Sequence, residues 1–214
     1  ERLERVATLG KVSLEIKRKI IEQQSERGLY PYSTYYLRHI KERTGEYWTN
    51  HFNTIGLVGM NEACLNFLGK DVGSPEGLAF ALEVMHFLRR LMVKFQEETG
   101  HFYNLEATPA EGTSYRLAKL DKARYPEIIT AGKEEPLYTN SSQLPVEYTD
   151  DIFECCDLQD ELQSLYTGGT VQHLYLGERI EDIEVCKELI KNIFDKYKMP
   201  YISICLLYTS DAAD

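Results

Sequence analysis

The 214-residue sequence has no apolar run long enough to cross a bilayer, and its first residues are charged rather than leader-like. A membrane span and a secretory signal are therefore not expected, and a soluble, cytoplasmic protein is. Basic residues are in deficit: 24 Lys and Arg stand against 34 Asp and Glu, for a net charge of -10. Such a balance argues against a broad basic face for DNA or RNA, but leaves room for a local nucleotide site. Cysteine is sparse, at five, with no Cys-x-x-Cys and no framework spacing. That excludes a disulfide scaffold and a zinc knuckle, and fits a reducing compartment. His39, His51, His86, His101 and His173 are scattered, and none pairs with Cys or acid at metal-ligand spacing. There is no P-loop and no Ser-His-Asp order. No metal site is expected.

What is present is a globular composition, 43% hydrophobic and 27% charged, without a linker or an internal repeat. The opening segment, 1–26, reads as an amphipathic helix with Leu3, Val6, Leu9, Ile16 and Ile20 near helical spacing, closed near Gly28. A turn at Tyr30-Pro31 leads into a short helix, then 52–58 reads as a strand or an extended loop. Gly59 to Leu68 is a short helix ended by Gly69. Ser74-Pro75 starts a long helix to about Glu98, with Leu78, Leu82, Met85, Leu88, Leu91, Met92 and Phe95 on its buried side. A strand from Phe102 to Leu105 and a helix to Arg124 follow. Then come an irregular stretch over 128–136, a strand plus loop over 137–143, and a helix to Tyr166 capped by Thr149 or Asp150. Gly168-Gly169 turns into a strand over 170–176, followed by a helix over 181–197 and a strand over 201–204. Strand–helix alternation implies an α/β fold with parallel pairing. Cys64, Cys155 and Cys156 read as small core residues.

The stretch Asn104–Ser114 (NLEATPAEGTS) carries the most chemistry. A strand runs into small residues and then a helix, so free amides, two hydroxyls (Thr113, Ser114) and a helix N-terminus meet at one point. Unpaired N–H groups and the positive end of the helix dipole favour an anion such as phosphate. The same pattern also describes an ordinary strand-to-helix turn with Thr113 or Ser114 as N-cap. Glu106 and Glu111 flank the loop. A carboxylate repels phosphate, so Glu106 suits a ribose contact or an ion pair with Arg116. Asn140, Ser141, Ser142 and Gln143 form a second run of hydrogen-bonding side chains after a strand. Gly168-Gly169 reads as a structural turn permitting positive φ.

Four motifs occur in one order: Asn53–Glu62 (NTIGLVGMNE), Asn104–Lys119, Tyr138–Val146 (YTNSSQLPV) and Tyr166–Thr170 (YTGGT). Together they resemble the catalytic subunit of the anaerobic (class III) ribonucleoside-triphosphate reductases, which are glycyl-radical enzymes. The resemblance covers 1–204. It implies a ten-stranded α/β barrel of the ribonucleotide reductase type, of which 1–204 is roughly the second half. It implies conversion of ribonucleoside triphosphates to 2′-deoxy forms by glycyl and thiyl radical chemistry, supplying DNA synthesis.

It further implies a glycyl radical installed by an iron–sulfur activase using S-adenosylmethionine, a structural zinc, and a homodimer of the full-length chain. The radical glycine, the thiyl cysteine and the zinc cysteines are expected outside this segment. No catalytic residue and no cofactor is assigned within it, and the segment alone is expected to be inactive. The substrate-binding candidates are Thr108, Ala110, Glu111, Gly112, Thr113 and Ser114, through backbone amides, followed by Asn140 and Ser141. Two other readings are a non-catalytic nucleotide- or sugar-phosphate-binding α/β domain and a related glycyl-radical lyase. Residues 205–214 resemble the translation of a sequencing adapter and are expected to be a non-native tail, leaving Cys205 without function.

Overall fold

A computed structural model of the chain describes residues 1–132 and 134–206. The elements run α1 (Arg2–Glu26), α2 (Pro31–Thr44), β1 (Asn53–Leu57), α3 (Met60–Leu68), α4 (Pro75–Thr99), β2 (Tyr103–Ala107), α5 (Glu111–Arg124), α6 (Ile152–Ser164), β3 (Gln172–Leu176), α7 (Ile183–Lys196) and β4 (Ile202–Leu206). Two compact units share them. One comprises Glu1–Ile55 and Phe87–Leu105; the other comprises Gly56–His86 and the chain from Glu106 onward. No described helix is long and apolar enough to cross a membrane.

The described strands form two two-stranded sheets, β1–β2 and β3–β4. The β3–β4 pair is parallel, with Leu174 opposite Ile204. In the other sheet, Asn53 N bonds Phe102 O and Thr108 N bonds Leu57 O, so the register rises along both strands and that pair is parallel too. A parallel bridge joins Glu106 to Gly169. The α/β class is thus realised, as two small parallel sheets among the described residues rather than a closed ten-stranded barrel. Cys205 and Leu206 of the expected foreign tail continue β4 opposite Tyr175 and Leu176; the rest of that tail lies outside the described residues.

In the first unit the core holds Leu88, Leu91, Met92, Phe95, Tyr103 and Leu105. The expectation for α1 is reversed here. Val6, Leu9, Ile16 and Ile20 are exposed (65%, 62%, 55% and 48%), while Ala7, Arg18 and Ser25 are buried. The inward face is polar because the neighbouring segment offers backbone groups that need partners. The Arg18 guanidinium donates to the carbonyls of Trp48 and His51 and to Asn53 Oδ1. Glu22 accepts the amides of Tyr47 and Trp48. Glu15 accepts from the Tyr103 hydroxyl and Asn53 Nδ2, and its other oxygen lies 2.8 Å from His101 Nδ1.

In the second unit the long helix starts as the sequence predicts. Pro75 occupies the first turn, and the amide of Gly77 donates to Ser74 Oγ at 3.1 Å. Cys64 is fully buried, and Cys156 sits in a core with Leu174, Ile193, Tyr197 and Met199. The cap of α6 is neither Thr149 nor Asp150 but Asp151, whose carboxylate accepts from the amides of Phe153 and Glu154. Thr149 Oγ1 instead accepts from Asp151 N and orients the capping residue. The strand expected over 137–143 reduces to one bridge, Ala131–Leu137.

Candidate functional site

The loop between β2 and α5 is built on a close approach. A Cβ added at Gly56 would lie 1.9 Å from Thr108 Oγ1, so only glycine admits the threonine over β1. Past Pro109, Ala110 (φ 61) and Glu111 (φ 30) adopt left-handed backbone, a costly conformation for residues with side chains. The left-handed backbone thus falls on the two residues before Gly112, where an added Cβ would meet open space. Ala110 O accepts the amides of both Thr113 and Ser114. No side chain caps α5, and the amides of Glu111 and Gly112 make no hydrogen bond among the described residues. Glu111, Gly112 and Thr113 are exposed. The result is an open helix start with two free donors and the positive end of the dipole.

Ser114 is placed differently from the sequence expectation. It is buried, and its Oγ donates to Tyr138 O at 2.6 Å and accepts from Tyr138 N at 2.9 Å. The hydroxyl thus gives its one proton to a backbone carbonyl. It brings the 138–141 segment to the start of α5. That segment is clasped from a third side by α3. Gly59 N donates to Thr139 O and Met60 N to Ser141 O. The buried Glu62 carboxylate accepts the Thr139 amide at 2.8 Å and the Thr139 hydroxyl at 2.6 Å. Gly59 has φ 79, and a Cβ there would press on Tyr138 at 3.2 Å. Tyr138 also donates to Asp121 at 2.8 Å, and burial with that carboxylate raises its phenol above the usual range.

Asn140 and Ser141 thus hang from a rigid clasp. Ser141 is fully buried in a left-handed conformation (φ 44). Asn140 Oδ1 is buried and has no hydrogen-bond partner among the described residues. Asn140 lines a cleft of about 310 Å³ with Glu106, Ala107, Gln143, Gly169 and Thr170. Glu106 makes no ion pair with Arg116 among the described residues, and it is one of the residues that border this cleft. Gly169 (φ 132) is more than a turn: its carbonyl accepts Ala107 N at 3.0 Å, so it forms one wall. Thr170 was not a sequence candidate; only its place within the YTGGT motif pointed to it. Gln143 Nε2 donates to Val171 O at 2.6 Å, and the Tyr166 hydroxyl donates to Ser142 at 2.9 Å. Burial pushes the Tyr166 phenol up to about 12. Among the described residues no cluster of His, Cys, Asp or Glu is arranged to hold a metal.

The chain is similar to known proteins over most of its length. A family profile described as anaerobic ribonucleoside-triphosphate reductase matches residues 1–211. The reductase of that name from Enterobacteria phage T4 is 29% identical over 126 residues, 58% of this chain and 19% of the relative. The Escherichia coli reductase is 29% identical over 121 residues, 55% of this chain and 17% of the relative. The crystal structure of the Thermotoga maritima anaerobic ribonucleotide reductase with MES in the active site superposes with a TM-score of 0.75 at 25% identity. That match covers 94% of this chain and 32% of the solved one. The same enzyme in complex with dATP and CTP gives a TM-score of 0.73 at 24% identity. The matched region thus spans about a fifth of the curated relatives' length and a third of the solved structures. This chain belongs to the anaerobic ribonucleoside-triphosphate reductase family.

Proposed function

We propose that this chain supplies part of the substrate pocket of an anaerobic ribonucleoside-triphosphate reductase, with the start of α5 holding the triphosphate. The observation that carries the reading is the uncapped, exposed helix start, with the amides of Glu111 and Gly112 free. Oriented backbone donors at a helix N-terminus favour a multiply charged anion. Family membership supports it, as does the relative solved with dATP and CTP. In this reading Thr108 and Ala110 shape the loop, Thr113 offers an exposed hydroxyl, and Asn140 and Ser141 stand at the second wall. The barrel is the ten-stranded one of the family, of which 1–204 forms the second half.

The glycyl radical, its S-adenosylmethionine-dependent activase, the thiyl cysteine and the zinc belong to the full-length protein, which acts as a cytoplasmic homodimer. Radical chemistry on the ribose would then remove its 2′-hydroxyl. What this segment does is bind and orient the nucleotide. None of its five cysteines takes the radical role.

The test is Gly112→Asp in the full-length reductase. A carboxylate there should leave the helix as stable or slightly more so, since negative charge suits a helix start. It should weaken binding of a ribonucleoside triphosphate by tenfold or more through repulsion, while glycyl radical yield stays intact. Unchanged affinity in a folded variant would move the phosphate site elsewhere.

A further inference from the structure

We propose that Gln163 is a positioning residue: it turns the Thr170 hydroxyl into an acceptor for a ribose hydroxyl of the bound nucleotide. The inference rests on the nucleotide reading above and extends it to the other end of the ligand. Gln159 and Gln163 are both fully buried on α6, an expensive place for two amides. Gln163 Nε2 donates to Gln159 Oε1 at 2.8 Å. That bond leaves Gln163 Oε1 facing Thr170, whose hydroxyl donates to it. A hydroxyl has one proton, so once it is given to Gln163 only lone pairs remain for the cleft.

Glu106 lines the same cleft, together with Asn140, Gln143 and His173. A hydroxyl left with lone pairs only, beside an acidic residue, disfavours phosphate and selects a group that donates. In a nucleotide the donors are the ribose hydroxyls and, on the base, amino groups and ring N–H groups such as the uracil imide. The two candidate regions are thus of opposite character: donors at the start of α5, acceptors beside Thr170. A triphosphate suits the first and the sugar suits the second.

The experiment uses the full-length reductase carrying Gln163→Leu, Thr170→Val or Thr170→Ser. Binding of UTP, CTP and inorganic tripolyphosphate is measured for each by calorimetry. Gln163→Leu and Thr170→Val should weaken UTP and CTP alike, each by about tenfold, the effect of one lost hydrogen bond. Tripolyphosphate affinity should not change, and Thr170→Ser should bind as the unaltered enzyme does. An equal loss for tripolyphosphate would make the ladder merely structural and overturn the assignment. So would unchanged UTP binding in Thr170→Val. Loss confined to CTP, or to UTP, would assign the donor to the base (the cytosine amine or the uracil imide) and refute the ribose contact. If Gln163→Leu does not fold, the Thr170→Val and Thr170→Ser pair decides alone. Failure of the unaltered enzyme to bind either nucleotide would instead bring down the underlying nucleotide reading, and this assignment with it.

Discussion

The Ser114 hydroxyl bonds both backbone groups of Tyr138, donating to its carbonyl and accepting from its amide. One side chain thereby stands in for a missing β-bridge between segments 24 residues apart. Ser114→Ala would leave a buried N–H and C=O without partners. The expected cost is about 1–3 kcal/mol of stability, read by denaturant unfolding of the full-length protein. Triphosphate affinity should fall only as far as the loop loosens. A variant as stable as the parent with much weaker phosphate binding would return Ser114 to the ligand's side.

Gly56 and Thr108 give a second test. The Cβ of Gly56→Ala would meet Thr108 Oγ1 at 1.9 Å and Thr108 Cβ at 2.9 Å, distances that force one strand to shift. Overpacking of this kind costs roughly 1–3 kcal/mol. Adding Thr108→Gly should recover most of that loss, a coupling seen in a double-mutant cycle. Additive effects would mean that the two residues do not share this contact.

The buried thiols predict an alkaline limit. Burial pushes Cys64 up to about 11 and Cys156 up to about 12, against an ordinary value of 9.0. A folded-state pKa above the unfolded one gives stability that is complete below about pH 9. It is lost as pH rises through 9 towards 11–12, because the unfolded chain then releases the proton first. Stability measured from pH 8 to 11 should therefore decline, and less steeply in Cys156→Ala relative to its own value at pH 8. Iodoacetamide at pH 8 should label half-buried Cys186 before Cys64 or Cys156. Early labelling of Cys156, read by mass spectrometry, would contradict the packing around Leu174 and Ile193.

Local signals in the sequence were reliable where the cause is local. Ser74-Pro75, the Gly69 and Gly100 stops and the small-residue turn before α5 each depend on neighbours within a few positions, and the structure has all of them. The buried side of α4 is likewise legible from its spacing, with Met85, Leu88, Leu91, Met92 and Phe95 inside. The site was only half legible. The loop 108–114 announces itself, but the clasp that shapes its neighbour does not. Glu62 reaches Thr139 across 77 positions, and Gln163 reaches Thr170 from inside a helix; neither bond has a periodicity to detect. The α1 stripe misled for a related reason. Apolar spacing gives a helix an apolar face, yet the inward side was set by the unmet backbone groups of 47–53.

The Arg18 contacts set how that corner responds to salt. Its partners are two neutral carbonyls and an amide oxygen, and the residue is 9% exposed. Mobile ions weaken attraction between opposite charges at a surface, such as Lys11 with Glu98 or Lys94 with Glu4. They have little purchase on a cation whose donors are already occupied by uncharged oxygens. Raising the ionic strength should therefore relax the outer edges of α1 while the 48–53 turn stays riveted to Arg18, giving one helix a salt-sensitive rim and a salt-blind centre.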